Sequence, residues 1–317
     1  MSRLRLLQVC NVGEIVGGTT ACAWTVTRAL PEFDHVVAFL SDVSDEARTA
    51  FAGIRVERWP RCAPALIDRV RPDVVMLHNI PGRRRLSGAA TLQYVHSAGR
   101  RAPADVTVYC SRWLARECGA SERDVLYQSV PRPLRPASGR SRGSDGRLVI
   151  GRLCTPMGLK WPHGLISFYS RLATDCPLVE WEFVGCPRRL QAELANACGG
   201  RARFFGAGWD ARRRFWEWDA LLYHHPTLTE SFGRTAAECM RAECVPIVDA
   251  RGGFLEQLTP ETGFPCATVE DFVASVARLH DQTVRRHVRR GGSVRIDGFR
   301  LRHFASGCWG GFGKPHC

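Results

Sequence analysis

Lysine is almost missing from this chain. Of 44 basic residues only Lys160 and Lys314 are lysines, and all others are arginine. Long apolar runs are missing too. None approaches the ~18 residues needed to cross a bilayer, so no transmembrane helix is expected. The opening MSRLRLLQVC has neither a signal-peptide core nor a small-residue cleavage site, and the expected location is the cytoplasm. Cys-x-x-Cys pairs and Cys/His ladders are absent despite fourteen cysteines, which removes the local zinc-finger pattern. Cys10 and Cys110 lie inside apolar runs, where a thiol serves as a small hydrophobe. No Asp-x-Asp run, internal repeat or low-complexity block occurs.

What is present describes a globular protein. The 317 residues suggest about two domains at ~150 residues each. A content of 45% hydrophobic and 24% charged residues excludes a disordered chain. The net charge of +13 and the planar guanidinium fork point toward an anionic partner. A GC-rich coding sequence gives the same Arg- and Ala-rich, Lys-poor composition, so the charge alone names no ligand. A lysine that persists in such a chain marks a place to look.

Short β-branched runs alternate with helical stretches. Strands are expected over 5–9, 35–40, 74–77, 91–95, 106–110 and 125–128, with helices over 20–30 and 111–118. The stretch PRPLRPASGRSRGSDGR then breaks the pattern. The alternation resumes with strands over 148–151, 181–185, 202–206, 220–224 and 245–248, and helices over 163–173, 188–197, 235–241 and 269–279. This is the text of βαβ units around parallel sheets. The expected domains are 1–135 and 148–285, a linker over 136–147, and an Arg/Gly-rich helix and tail over 286–317. In open α/β sheets ligands bind beyond the carboxyl ends of the strands, so two such domains put the expected site in the cleft between them.

The most informative segment is TESFGRTAAE (229–238). Ser231, Phe232 and Gly233 make a small-residue turn into a helix whose first N–H groups and positive dipole end suit a phosphate. Glu230 precedes the turn, and Glu238 lies about one helical turn inside, within reach of hydroxyls. A capped helix with a surface glutamate is the plainer alternative.

Glu230 and Glu238 are eight positions apart, and ESFGRTAAECM resembles the Glu-x7-Glu signature of retaining GT-B glycosyltransferases, in particular glycosyltransferase family 4. AECVPIV (242–248), GGFLE (252–256) and TGF (262–264) followed by VEDF (269–272) resemble that family's later steps. The resemblance implies an α/β, GT-B fold of two Rossmann-like parallel-sheet domains facing an interdomain cleft. It implies that Glu230 lies near the donor sugar, that Glu238 binds ribose hydroxyls, and that Phe232, Gly233 and Arg234 border the diphosphate. Upstream, IGRL resembles the family's strand end, so Gly151 would adjoin the donor while Arg152 and Lys160 clamp the diphosphate and take its leaving charge. Two departures stand out: the spacing between Arg152 and Lys160 is longer than usual, and Glu243 occupies a helix end where the family has glycine.

The first half resembles the family's acceptor domain more faintly. Gly17 and Gly18 resemble its glycine loop, although such pairs also make ordinary turns. RPDVVMLHN (71–79) resembles its Pro-Asp-hydrophobic-His strand, and YVHS (94–97) the strand ending in a histidine, His96, beside the transferred sugar. At about 130 residues this domain is short for the fold.

The function that the resemblance implies is therefore transfer of a hexose from a nucleotide diphosphate sugar, UDP- or GDP-linked, to a carbohydrate or lipid-linked acceptor hydroxyl, with retention and without metal or cofactor. The arginines at 83–85 and 100–101 read first as a solvated face; clustered on the acceptor domain, they would suit peripheral contact with an anionic membrane or a phosphorylated acceptor. The alternatives are an inactive sugar-nucleotide binder and, behind it, an Arg-rich nucleic-acid binder, for which no recognition motif accompanies the charge. The aromatics Phe215, Trp216, Trp218 and Tyr223 read as packing rather than as a sugar platform.

Overall fold

A computed structural model describes residues 3–137 and 146–296. The chain divides at Val130 and Pro131 into two compact units, each built on one six-stranded parallel sheet.

The first unit contains β1 (Arg5–Cys10), β2 (Asp34–Phe39), β3 (Arg55–Arg58), β4 (Val74–His78), β5 (Ala90–Val95) and β6 (Val106–Tyr109) in the order β3-β2-β1-β4-β5-β6. Helices Gly18–Ala29 and Arg112–Glu117 are among those that cover it. Because parallel strands are buried on both faces they read as continuous apolar runs. Leu7, Val9, Val36, Ala38, Val75 and Leu77 form the core on one side, closed by Trp59 and Ile67.

The second unit repeats the plan with β7 (Leu148–Leu153), β8 (Val179–Val184), β9 (Ala202–Phe205), β10 (Ala220–Tyr223), β11 (Val245–Asp249) and β12 (Phe264–Cys266). Its order is β12-β11-β10-β7-β8-β9. In both sheets the winding reverses once, beside β1 and β4 and beside β7 and β10. Crevices at such reversals, at the carboxyl ends of the strands, are where open α/β sheets bind ligands.

The structure differs from the sequence reading in several places. β3 is polar (Arg-Val-Glu-Arg) because it is an edge strand, and alternation could not flag it. Residues 125–128 make only a single bridge, between Val125 and Tyr109. Residues 131–135 belong to the second unit: the guanidinium groups of Arg132 and Arg135 lie 4.7 and 5.2 Å over the Trp216 ring. The Trp216 indole donates to the Pro133 carbonyl (3.0 Å). Residues 138–145 of the expected linker, and everything after 296, lie outside the described residues. The second unit also extends past 285, since helix Gln282–Ile296 sends Arg285 and Arg289 to the wholly buried Asp219 carboxylate at 3.1 and 2.9 Å.

Other expectations hold. Trp218 is buried, donates to Glu182 (2.8 Å) and packs the core. Ten of the twelve described cysteines are buried and none is in a disulfide, so they fill space as small apolar groups. Among the described residues no helix is long and apolar enough to cross a membrane.

Glu243 does sit in the left-handed region (φ 54°). Arg132 holds it there, donating to its carboxylate (2.7 Å) and to the Arg241 carbonyl (3.2 Å). A Cβ in that conformation costs about 1–2 kcal/mol, while the half-exposed ion pair contributes less than about 1 kcal/mol. Glu243→Gly is therefore expected to raise stability by about 0.5–1 kcal/mol, read as a higher denaturant midpoint at unchanged m-value.

Candidate functional site

The segment after β10 is shaped by glycines that admit nothing larger. Gly233, with φ 82°, caps helix Arg234–Arg241, and a Cβ there would fall 2.2 Å from the Phe254 ring. Gly252 (φ 62°) and Gly253 press against the loop from below. A Cβ on Gly253 would lie 2.3 Å from the Ser231 carbonyl oxygen. The Gly253 N–H donates to the Glu230 carbonyl (2.9 Å), and the Gln257 amide donates to that of Phe232. With its carbonyls tied down in this way, residues 230–233 deliver a fixed helix start, whose dipole favours an anion.

Lys160 and Glu230 meet beside this loop although seventy positions separate them in sequence. The Lys160 ammonium pairs with Glu230 Oε1, and the Tyr223 hydroxyl donates to the same oxygen. Burial pushes the Tyr223 phenol far above its ordinary pKa, so it remains a donor. Lys160 and Glu230 keep part of their side chains in solvent, which leaves the ammonium able to exchange its carboxylate for an arriving anion.

Arg152 is placed differently from the diphosphate clamp implied by the resemblance. It is wholly buried, with Nη1 and Nη2 donating to the His224 and Lys160 carbonyls at 2.8 Å each and its guanidinium between the Trp161 and Tyr223 rings. Its role in this structure is to fix the backbone at Lys160 and at the end of β10. A Cβ on Gly151 would fall 2.1 Å from the Trp218 ring, so glycine at this position lets β7 pack against that indole.

Glu238 is buried between two arginines, Arg212 at 2.9 Å and Arg234 at 3.1 Å. Arg234 thus meets Glu238 in its own helix, and Phe232 is packed with only 3% of its surface exposed.

His225 joins the two halves of the site. Its Nδ1 accepts from the Thr227 and Leu228 N–H groups (3.2 and 2.8 Å), so Nε2 carries the proton and donates to the Leu159 carbonyl (2.7 Å). Burial lowers its pKa below 6.5. A folded value below the unfolded one means that the stabilisation is complete above pH 6.5 and is lost as pH falls toward the folded value. The thermal midpoint is therefore expected to fall between pH 7 and 5, and His225→Gln to flatten that slope.

In the first unit, Gly17 precedes helix Gly18–Ala29 just after β1, and its N–H donates to the Glu14 carbonyl (3.1 Å). His96 follows β5. Its ring contacts His78 (Nε2 to Nδ1, 3.0 Å) and Gln128 (2.8 Å). His78 in turn reaches Gln8 Oε1 (3.0 Å), while the Gln8 amide donates to the Ala23 carbonyl (3.2 Å). Burial holds the His78 imidazole down to about 3, so that ring is a neutral link in the chain.

The sequence-derived residues therefore collect in two places: Gly151, Arg152, Lys160, Glu230, Phe232, Gly233, Arg234 and Glu238 around the ends of β7 and β10, and Gly17, Gly18 and His96 at the ends of β1 and β5. Tyr223, His225 and Gln257 were not anticipated as site residues. Tyr223 carried an aromatic signal that read as packing, and the other two carried none.

No family model matches the chain, and no curated protein matches it. Solved structures do. HepE of Anabaena in complex with UDP-glucose superposes with a TM-score of 0.73 at 15% identity, over 96% of this chain and 97% of that one. A glycosyltransferase from Rickettsia africae gives 0.71 at 13% identity, again over 96% and 97%. Sucrose-phosphate synthase from Thermosynechococcus elongatus gives 0.70 at 15%, with the same coverage. The likeness shows that this chain has the GT-B fold, as the sequence reading expected.

Proposed function

We propose that this protein is a glycosyltransferase that moves a hexose from a nucleotide diphosphate sugar to an acceptor hydroxyl with retention of configuration. The observation that carries the reading is the meeting of Lys160 and Glu230 beside a glycine-enforced helix start, at the point where the second sheet reverses its winding. HepE, which shares the fold, has been captured with UDP-glucose.

In this reading the donor diphosphate settles against the start of helix Arg234–Arg241, and Lys160 exchanges Glu230 for a phosphate oxygen. Glu230, still held by Tyr223, accepts a hydrogen bond from a sugar hydroxyl. As the bond from the anomeric carbon to the phosphate oxygen breaks, the charge growing on the diphosphate is met by the ammonium and the helix dipole. The acceptor oxygen bonds to the same face of the anomeric carbon, and its proton passes to the departing phosphate. Arg152 acts as a positioning residue. Glu238 would have to release an arginine before meeting a ribose, so the proposal rests on Lys160 and Glu230. A carbohydrate or lipid-linked acceptor is assigned to the first unit. Arg83, Arg84 and Arg100 are exposed there and are available to an anionic surface.

A second reading, a sugar-nucleotide binder without turnover, is favoured by the engagement of both His96 ring nitrogens inside the protein. A panel of UDP- and GDP-sugars separates the two. A matched donor at a hundredfold excess over Kd stabilises by about 2.7 kcal/mol, and a transferase additionally releases nucleoside diphosphate. Stabilisation without release supports the binder. A panel in which no donor shifts the melting curve overturns both.

A further inference from the structure

We propose that Cys22, His78 and His96 form a binding site for a soft divalent metal ion of the zinc class in the first unit. One ligand atom from each lies within 4.8 Å of the other two. The residues come from three elements: Cys22 from helix Gly18–Ala29, His78 from the end of β4, and His96 from the position after β5. A thiolate and two neutral imidazoles form a ligand set that suits zinc rather than magnesium or calcium, which prefer oxygen.

Both histidines are flanked by side-chain amides that can serve as outer partners. The two rings face each other through His78 Nδ1 and His96 Nε2, 3.0 Å apart. Tetrahedral zinc, with Zn–N of about 2.0–2.1 Å, needs a separation of about 3.3 Å, so binding replaces the hydrogen bond between the rings and turns both nitrogens toward one point. The outward nitrogens each meet a side-chain amide: His78 Nε2 meets Gln8 Oε1 at 3.0 Å, and His96 Nδ1 meets Gln128 at 2.8 Å. Outer partners of this kind fix the tautomer and orientation of a ligating histidine. Cys22 and His78 are buried while His96 is partly exposed, which gives the ion an approach from the His96 side.

Proton bookkeeping is simple. Without metal, His78 Nε2 donates to Gln8, whose own amide is committed to Ala23, so His78 Nδ1 accepts and His96 Nε2 carries the shared proton. On binding, that proton moves to His96 Nδ1, Gln128 turns its amide to present oxygen, and the Cys22 thiol loses its proton to solvent. Both imidazoles stay neutral, and one proton is released per ion.

The test uses the full chain, reduced and stripped with chelator, titrated with Co²⁺ and then Zn²⁺. The expected result is one equivalent of Co²⁺ with a thiolate-to-metal charge-transfer band, displaced by Zn²⁺, and one proton released. Cys22→Ser should remove the band, and His96→Gln should weaken binding by at least about tenfold, each with unchanged circular dichroism. Cys62→Ser, remote from the site, should change nothing. The absence of a thiolate band, or a band that persists in Cys22→Ser, would overturn the proposal. Because the readout is metal occupancy, its outcome is independent of whether any donor sugar is turned over.

Discussion

Lys160→Ala is expected to lower sugar transfer by about 10²–10³ while leaving the protein folded. The magnitude is that of removing one preorganised charge from a leaving group, about 2.7–4 kcal/mol of transition-state stabilisation. The fold should survive because Glu230, at 21% side-chain exposure, still reaches solvent, and losing one partner of such a part-buried group costs about 1–3 kcal/mol. Glu230 retains the Tyr223 hydroxyl after the substitution. Lys160→Arg should not restore the rate, since a planar fork does not reproduce a compact ammonium. The check is the initial rate of nucleoside diphosphate release at saturating donor, with circular dichroism on the same sample. A rate within a fewfold of the parent protein would remove Lys160 from the chemistry and with it the proposed function.

Gly253→Ala is expected to destabilise the protein by about 3 kcal/mol, the upper part of the range for overpacking, and to abolish donor binding. The added methyl would lie 2.3 Å from the Ser231 carbonyl oxygen and 2.6 Å from the Phe232 Cα. Both are backbone atoms that cannot swing aside, so the loop itself must move. The loop carries Glu230 and sets the start of helix Arg234–Arg241, so its displacement separates the groups that the donor would need together. Gly206→Ala is the control: nothing lies within 4 Å of a Cβ at that position, and its effect should stay within about 0.5 kcal/mol. Urea unfolding and donor-induced thermal shift measure the two effects. Equal behaviour of the two variants would show that the tight glycine contacts do not hold the loop.

The parallel sheets were legible because strands buried on both faces leave uninterrupted runs such as VVMLH in β4. β3 was not, because an edge strand needs little apolar surface. Lys160 could be found because it was the wrong cation for its chain, and Glu230 because it headed a small-residue turn. The placement of Arg152 was not legible, since a sequence does not say whether a guanidinium at a strand end points outward or is buried against two carbonyls. The surroundings of Gly151 were hidden for a related reason: a missing side chain makes room equally for a ligand or for Trp218. The grouping of Cys22, His78 and His96 was beyond reach, because spacing along the chain detects ligands on one element and these come from three.

The buried Asp219 has a consequence for how the chain is made. Its carboxylate opens β10 and also accepts from the Val149 N–H at 3.0 Å, but its two cations, Arg285 and Arg289, are translated sixty-six and seventy residues later. A buried carboxylate left without its partners is strongly destabilising. On the ribosome the sheet of the second unit is therefore expected to wait, with one buried carboxylate uncompensated, until helix Gln282–Ile296 leaves the exit tunnel.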